Sequence, residues 1–221
     1  MKTIQDFFEQ TDFSYLNLSE SIEKDYYEIW KDVYLPSQEK KAIENKLSED
    51  SRIKAFNGLS KRGYFLCQLY DFFDCTNIAE VGTAEGFQFY TFCHHIKEKG
   101  VVYSCDIRDV RKLDYVNKYI NERFVSGTSK EMSEKIVNDE KEIDLFWIDG
   151  GHHNSAVIYD VIRLAKTQSK NPVWVFDDFN ERFGIHQELK WLSGFQEHYT
   201  FSLGPTASGK PNNMLILKGQ I

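Results

Sequence analysis

From Asn77 onward, short apolar runs alternate with amphipathic stretches, and nothing else in this chain restricts its fold as much. The runs are NIAEVG (77–82), VVYSCD (101–106), RFVSG (123–127), IDLFWID (143–149) and VWVFDD (173–178). Helical spacing fills the gaps near 85–98, 109–121, 129–138, 154–168 and 184–197. Strands rich in Val, Ile and Phe that alternate with helices predict βαβ units around a parallel sheet buried on both faces. Two last runs, HYTFSLG (198–204) and NNMLILKG (212–219), have no helix between them. They pair antiparallel, because a parallel crossover needs a dozen or more residues. The expected architecture is α/β, a Rossmann-like seven-stranded mostly parallel sheet with an antiparallel last strand.

Residues 1–76 have another texture. DYYEIWKDVYLP is charged and aromatic at helical spacing, and KRGYFLCQLYDFF (61–73) reads as a helix leading into the first strand. The expected division is a helical N-terminal cap over 1–60 and the α/β domain over 61–221. Tyr26, Tyr27, Trp30 and Tyr34 in the cap read as core packing or as a substrate lid.

Composition narrows the function. With 221 residues, 41% of them hydrophobic, the chain can bury one substantial core. A net charge of -7 with no Lys/Arg cluster argues against a nucleic-acid partner. Cys67, Cys75, Cys93 and Cys105 lack metal-type spacing and read as reduced, buried thiols. No run is long enough to cross a bilayer, and MKTIQDFFEQTDF has no apolar signal region, so a cytoplasmic protein with no membrane partner is expected.

In an open parallel sheet, ligands sit beyond the carboxyl ends of the strands. The turn there reads Glu80-Val81-Gly82-Thr83-Ala84-Glu85-Gly86. It is GxxxG flanked by acids, which suits a cationic or neutral ligand better than a pyrophosphate. The second run ends in Asp106, whose carboxylate can accept both hydroxyls of a ribose.

EVGTAEG, SCDI and FVSGTS together resemble the class I S-adenosylmethionine-dependent methyltransferases over roughly residues 60–220. The resemblance implies S-adenosyl-L-methionine as cofactor. Glu80, Gly82 and Gly86, with Thr83 in the same turn, would line its methionine part, and Asp106 its ribose. Thr128 and Ser129 would stand by the adenine, Thr128 where the family often has Asp, and Asp149 is also counted among the cofactor-binding residues.

FWIDGGHHN (146–154) and VWVFDDFN (173–180) deliver Asp149, Asp177 and Asp178 to the same sheet edge. Converging carboxylates with no Lys or Arg beside them in sequence would repel, and a hard divalent cation would relieve that. Asp149-Gly-Gly-His152 with Asp177-Asp178 is similar to the metal-dependent macrocin and mycinamicin group of sugar O-methyltransferases. That likeness implies Mg²⁺ (or Mn²⁺) on Asp149, Asp177 and Asp178. It also implies catalytic roles for Asp149 and for His152, the latter as general base.

Alternatives stand beside each of these assignments. Asp149 and Asp178 could cap the helices that follow them, and His152 could be a solvated loop residue. Competing functions are a metal-independent methyltransferase, an NAD-dependent oxidoreductase and a non-catalytic interaction protein. The acceptor is a small molecule with a sugar, aromatic or polyketide-like hydroxyl, and homo-oligomerisation stays open.

Overall fold

A computed structural model describes residues 2–11, 29, 32–33, 62–151, 153–203 and 213–221. Seven strands form one sheet: β1 (Ile78–Val81), β2 (Val102–Asp106), β3 (Glu122–Ser126), β4 (Ile143–Ile148), β5 (Gln168–Phe176), β6 (Glu197–Ser202) and β7 (Asn213–Lys218). Their order is β3-β2-β1-β4-β5-β7-β6. The first five are parallel, and β7 runs antiparallel to both β5 and β6. This is the Rossmann-like arrangement expected, with the last strand reversed.

Period-two alternation builds two cores from one sheet. Leu145 and Trp147 of β4 enter one cluster, while Phe146 and Ile148 enter the other. The first face is covered by α1 (Ile4–Gln10), α2 (residues 62–72) and α3 (Phe87–Ile96), through Phe7, Phe65, Leu69, Phe89 and Ile96. On the second face lie α4 (Ser129–Asn138), α5 (Asn154–Leu164) and α6 (Ile185–Ser193), through Met132, Val161 and Leu189. There Trp174 stacks on Phe146 at a centroid distance of 3.7 Å. All four cysteines are free and buried.

At the N-terminus, Ile4 and Phe7 join the first core, as do Ile29 and Val33. Thr3 and Asp6 start α1 with a reciprocal capping box. The expected boundary at residues 60–61 and the aromatic residues Tyr26, Tyr27, Trp30 and Tyr34 lie outside the described residues. Among the described residues no helix is long and apolar enough to cross a membrane.

One expected helix does not form. Residues 109–121 hold a single short 3₁₀ turn, Leu113–Tyr115. Asp109 accepts hydrogen bonds from the Arg111 backbone and guanidinium, and Asn117 has φ 60°. Such local side-chain bonds give the backbone an alternative to the helical ladder. Val110, Leu113 and Ile120, the apolar positions that suggested a helix, face solvent, and Tyr115 anchors the segment instead. Strand β5 also starts five residues before its expected run, with a register shift against β4.

Candidate functional site

The strand order reverses at β1: β2 and β3 lie on one side, and the chain returns to place β4 on the other. Ligands of open α/β sheets bind at this switch point. The structure has a cavity of about 530 Å³ there, within the usual range for small-ligand sites.

Of the residues singled out from sequence, Gly82, Asp106, Thr128, Ser129 and Asp149 line this cavity. Gly82 has φ +98°, and a Cβ built on it would overlap the Asp149 backbone oxygen. The glycine is therefore required by the end of β4 pressing against the turn. Gly86, at φ +94°, is the left-handed N-cap of α3, with the Tyr90 ring against it. It does not line the cavity.

Asp106 is fixed by two backbone amides. Its Oδ2 accepts from Ala84 N–H at 2.9 Å and its Oδ1 from Arg108 N–H at 3.1 Å. Each oxygen keeps a further lone pair to offer a ligand hydroxyl. Glu80 and Thr83 sit behind the turn, off the cavity wall. The Thr83 and Ser104 hydroxyls are 2.6 Å apart, and Ser104 Oγ donates to Glu80 Oε2 at 2.5 Å. Burial is the main cause that pushes the Glu80 carboxyl up to about 8. The Thr83 hydroxyl is thus engaged inside the protein.

The hydroxyls of the expected adenine end are engaged too. Thr128 is the N-cap of α4, engaged with Glu131 in a capping box. Ser129 is fully buried and donates to Asp160 Oδ1 at 2.5 Å. Both residues form wall, and neither hydroxyl is spare. The sequence reading missed Ile107, Tyr159, Asp160 and Arg163, which also line the cavity. Tyr159, Asp160 and Arg163 lie on α5, and their helical spacing carries no signal of a ligand.

The largest departure is at the acids. Asp149 and Asp177 come together at the ends of β4 and β5, but a cation already stands between them. Arg62, the first described residue of α2, reaches Asp149 Oδ2 at 3.2 Å and Asp177 Oδ2 at 2.5 Å. Its guanidinium also lies 5.0 Å from the Trp147 ring centroid. Asp178, in a left-handed conformation at φ 52°, faces Arg182 at 3.6 Å. The acids have no Lys or Arg beside them in sequence, but the fold brings Arg62 to Asp149 and Asp177 and Arg182 to Asp178.

The capping alternative also fails. The N-caps of α5 and α6 are the exposed His153 and Gly184, and neither helix start has a side-chain cap bond. Burial first, and the neighbouring Asp177 charge next, raise the Asp149 carboxyl well above the usual carboxylate range, with Arg62 opposing. His152 lies outside the described residues.

A divalent ion does not fit this arrangement. Among the described residues no three His, Cys, Asp or Glu side chains group as a metal site. An ion beside Asp149 and Asp177 would have to compete for their oxygens with the Arg62 guanidinium, a like charge already paired with both.

Comparisons with known proteins agree with the fold. Residues 79–179 match the family model described as a methyltransferase domain. No curated protein matches the chain by sequence. Among solved structures, cofactor-bound Rv0187 from MTB superposes with a TM-score of 0.58 at 16% identity, covering 71% of this chain and 79% of that one. The O-methyltransferase TomG from Streptomyces achromogenes, in complex with SAM, gives 0.58 at 12% identity, with 72% and 79% covered. An O-methyltransferase from Bacillus cereus, in complex with SAH, gives 0.56 at 14%, with 83% and 89% covered. At such identities the likeness establishes the fold alone. Residues 79–179 thus resemble a methyltransferase domain, and the chain shares the Rossmann-like fold of these solved structures.

Proposed function

We propose that this protein is an S-adenosylmethionine-dependent O-methyltransferase acting on a small-molecule hydroxyl. The observation that carries the reading is the switch-point cavity, with Gly82 in its floor and the amide-held carboxylate of Asp106 in its wall. The matched methyltransferase domain and the SAM- and SAH-bound structural neighbours support the same cofactor.

In the reaction, the acceptor oxygen attacks the sulfonium methyl. An O–C bond forms, the S–C bond breaks, the sulfur keeps the bonding pair, and the hydroxyl proton leaves. The sulfonium loses its charge, so catalysis is chiefly in-line positioning plus removal of that proton. Asp149 lines the cavity and is held by Arg62, which suits it to orient the acceptor hydroxyl. His152, three residues on, is assigned as the base. His152→Ala should lower turnover about a hundredfold and leave cofactor affinity unchanged. A variant with wild-type turnover would remove His152 from the mechanism.

The acceptor is a sugar, aromatic or polyketide-like hydroxyl, and the resemblance of Asp149-Gly150-Gly151-His152 and Asp177-Asp178 to the macrocin group supports the sugar among them. Arg62, paired with Asp149 and Asp177, stands where Mg²⁺ or Mn²⁺ would bind.

The direct test is calorimetry with S-adenosylhomocysteine and with NAD. The first should bind and the second should not; the reverse result would overturn the assignment in favour of an oxidoreductase. Asp106→Ala should weaken S-adenosylhomocysteine binding by about 1.5–3 kcal/mol, the scale of hydrogen bonds to a charged group.

A further inference from the structure

We propose that Arg62 is a built-in cation: it bridges Asp149 and Asp177 and thereby closes this acid pair to divalent metals. The acceptor side of the site then works with a tethered guanidinium in place of Mg²⁺ or Mn²⁺. The inference deepens the methyltransferase reading in one respect, since it makes the transfer independent of metal.

The geometry is that of a fork holding two carboxylates. One terminal nitrogen of Arg62 meets Asp177 at 2.5 Å and the other meets Asp149 at 3.2 Å. All three side chains are largely withdrawn from solvent, with 13%, 7% and 21% exposed for Arg62, Asp177 and Asp149. Arg62 is presented by α2, whose Phe65, Leu66 and Leu69 are fully buried in the core, and its guanidinium is close to the Trp147 ring. The cation is therefore supplied by an element anchored in the fold. Arginine suits the place because its planar fork serves two carboxylates at once and never loses its charge. An entering ion would have to displace a guanidinium already paired with both acids.

The test is manganese binding to the full-length protein, read from the loss of the free Mn²⁺ electron paramagnetic resonance signal. Wild type should bind no Mn²⁺ at millimolar concentration. Arg62→Met removes the cation and leaves the carboxylates, so it should bind Mn²⁺ at least about tenfold more tightly than wild type. Adding Asp149→Asn to that variant should abolish the gain. Arg62→Gln keeps donors without charge and takes the place of Arg62→Met where the latter fails to fold. Wild-type Mn²⁺ binding that disappears on Asp149→Asn would overturn the proposal, as would a folded Arg62 variant with no gain. S-adenosylhomocysteine titration of the same samples separates the two readings. Loss of cofactor binding with the manganese pattern intact would defeat the methyltransferase assignment and spare the Arg62 inference.

Discussion

Gly82→Ala is expected to destabilise the protein by about 3 kcal/mol or more and to weaken S-adenosylhomocysteine binding about a hundredfold. The change adds one carbon, but at φ +98° that carbon would overlap the Asp149 backbone oxygen. A left-handed conformation costs a residue with a Cβ roughly 1–2 kcal/mol, and overpacking adds about 1–3 kcal/mol. The atom that must yield is backbone, at the end of a strand locked on both sides, so the turn itself has to move. The turn carries the Ala84 N–H that holds Asp106, and Gly82 N–H donates to Cys105 O at 2.9 Å. Displacing it spoils the ribose carboxylate and the cavity floor together, and a hundredfold loss is about 2.7 kcal/mol of binding. Urea unfolding and calorimetry at saturating folded fraction measure the two effects. A variant with wild-type stability and affinity would show that β4 does not press on this turn.

Gly82 also shows what the sequence could reveal. A glycine between a buried strand and a helix marks a backbone constraint that is local, so its place was legible, although the pressing partner was not. The sheet was legible for the same reason: Leu145 and Trp147 against Phe146 and Ile148 alternate within a single run. The acid pair was legible as a pair, because strand ends in a parallel sheet share an edge. Its neutralisation was hidden, because Arg62 precedes Asp149 by most of the domain and meets it only through the packing of α2 on the sheet. Thr128 could be read in two ways. A Thr-x-x-Glu signature says helix start as readily as ligand contact, and here the capping box uses the hydroxyl. The 109–121 segment has helical periodicity, but Val110, Leu113 and Ile120 face solvent and only Tyr115 is buried in the core, so local bonds from Asp109 prevailed.

Glu80→Gln is expected to remove a loss of stability that wild type suffers between about pH 4.5 and pH 8. Glu80 is 1% exposed, and burial raises its carboxyl from 4.5 to about 8, with the Ser104 hydrogen bond and the Arg62 charge opposing. A folded pKa above the unfolded one means that the folded state holds a proton the unfolded state has released. This stabilisation is fully present below pH 4.5 and is lost as pH rises through 8. A gap of this size corresponds to several kcal/mol, on the order of 5. The amide introduced by Glu80→Gln stays neutral throughout, so the stability of that variant relative to wild type should climb by about that amount between pH 4.5 and 8.5. Urea unfolding at the two pH values decides it, and a difference that does not change with pH would show Glu80 to be ionised in the folded protein. The same residue reports on the ligand. If the cationic end of S-adenosylhomocysteine lies at this turn, binding draws Glu80 into its ionised form. At pH 7, calorimetry in buffers of different ionisation enthalpy should then register close to one proton released by wild type and none by Glu80→Gln. Equal proton release from both proteins would place the ammonium of the cofactor away from Glu80.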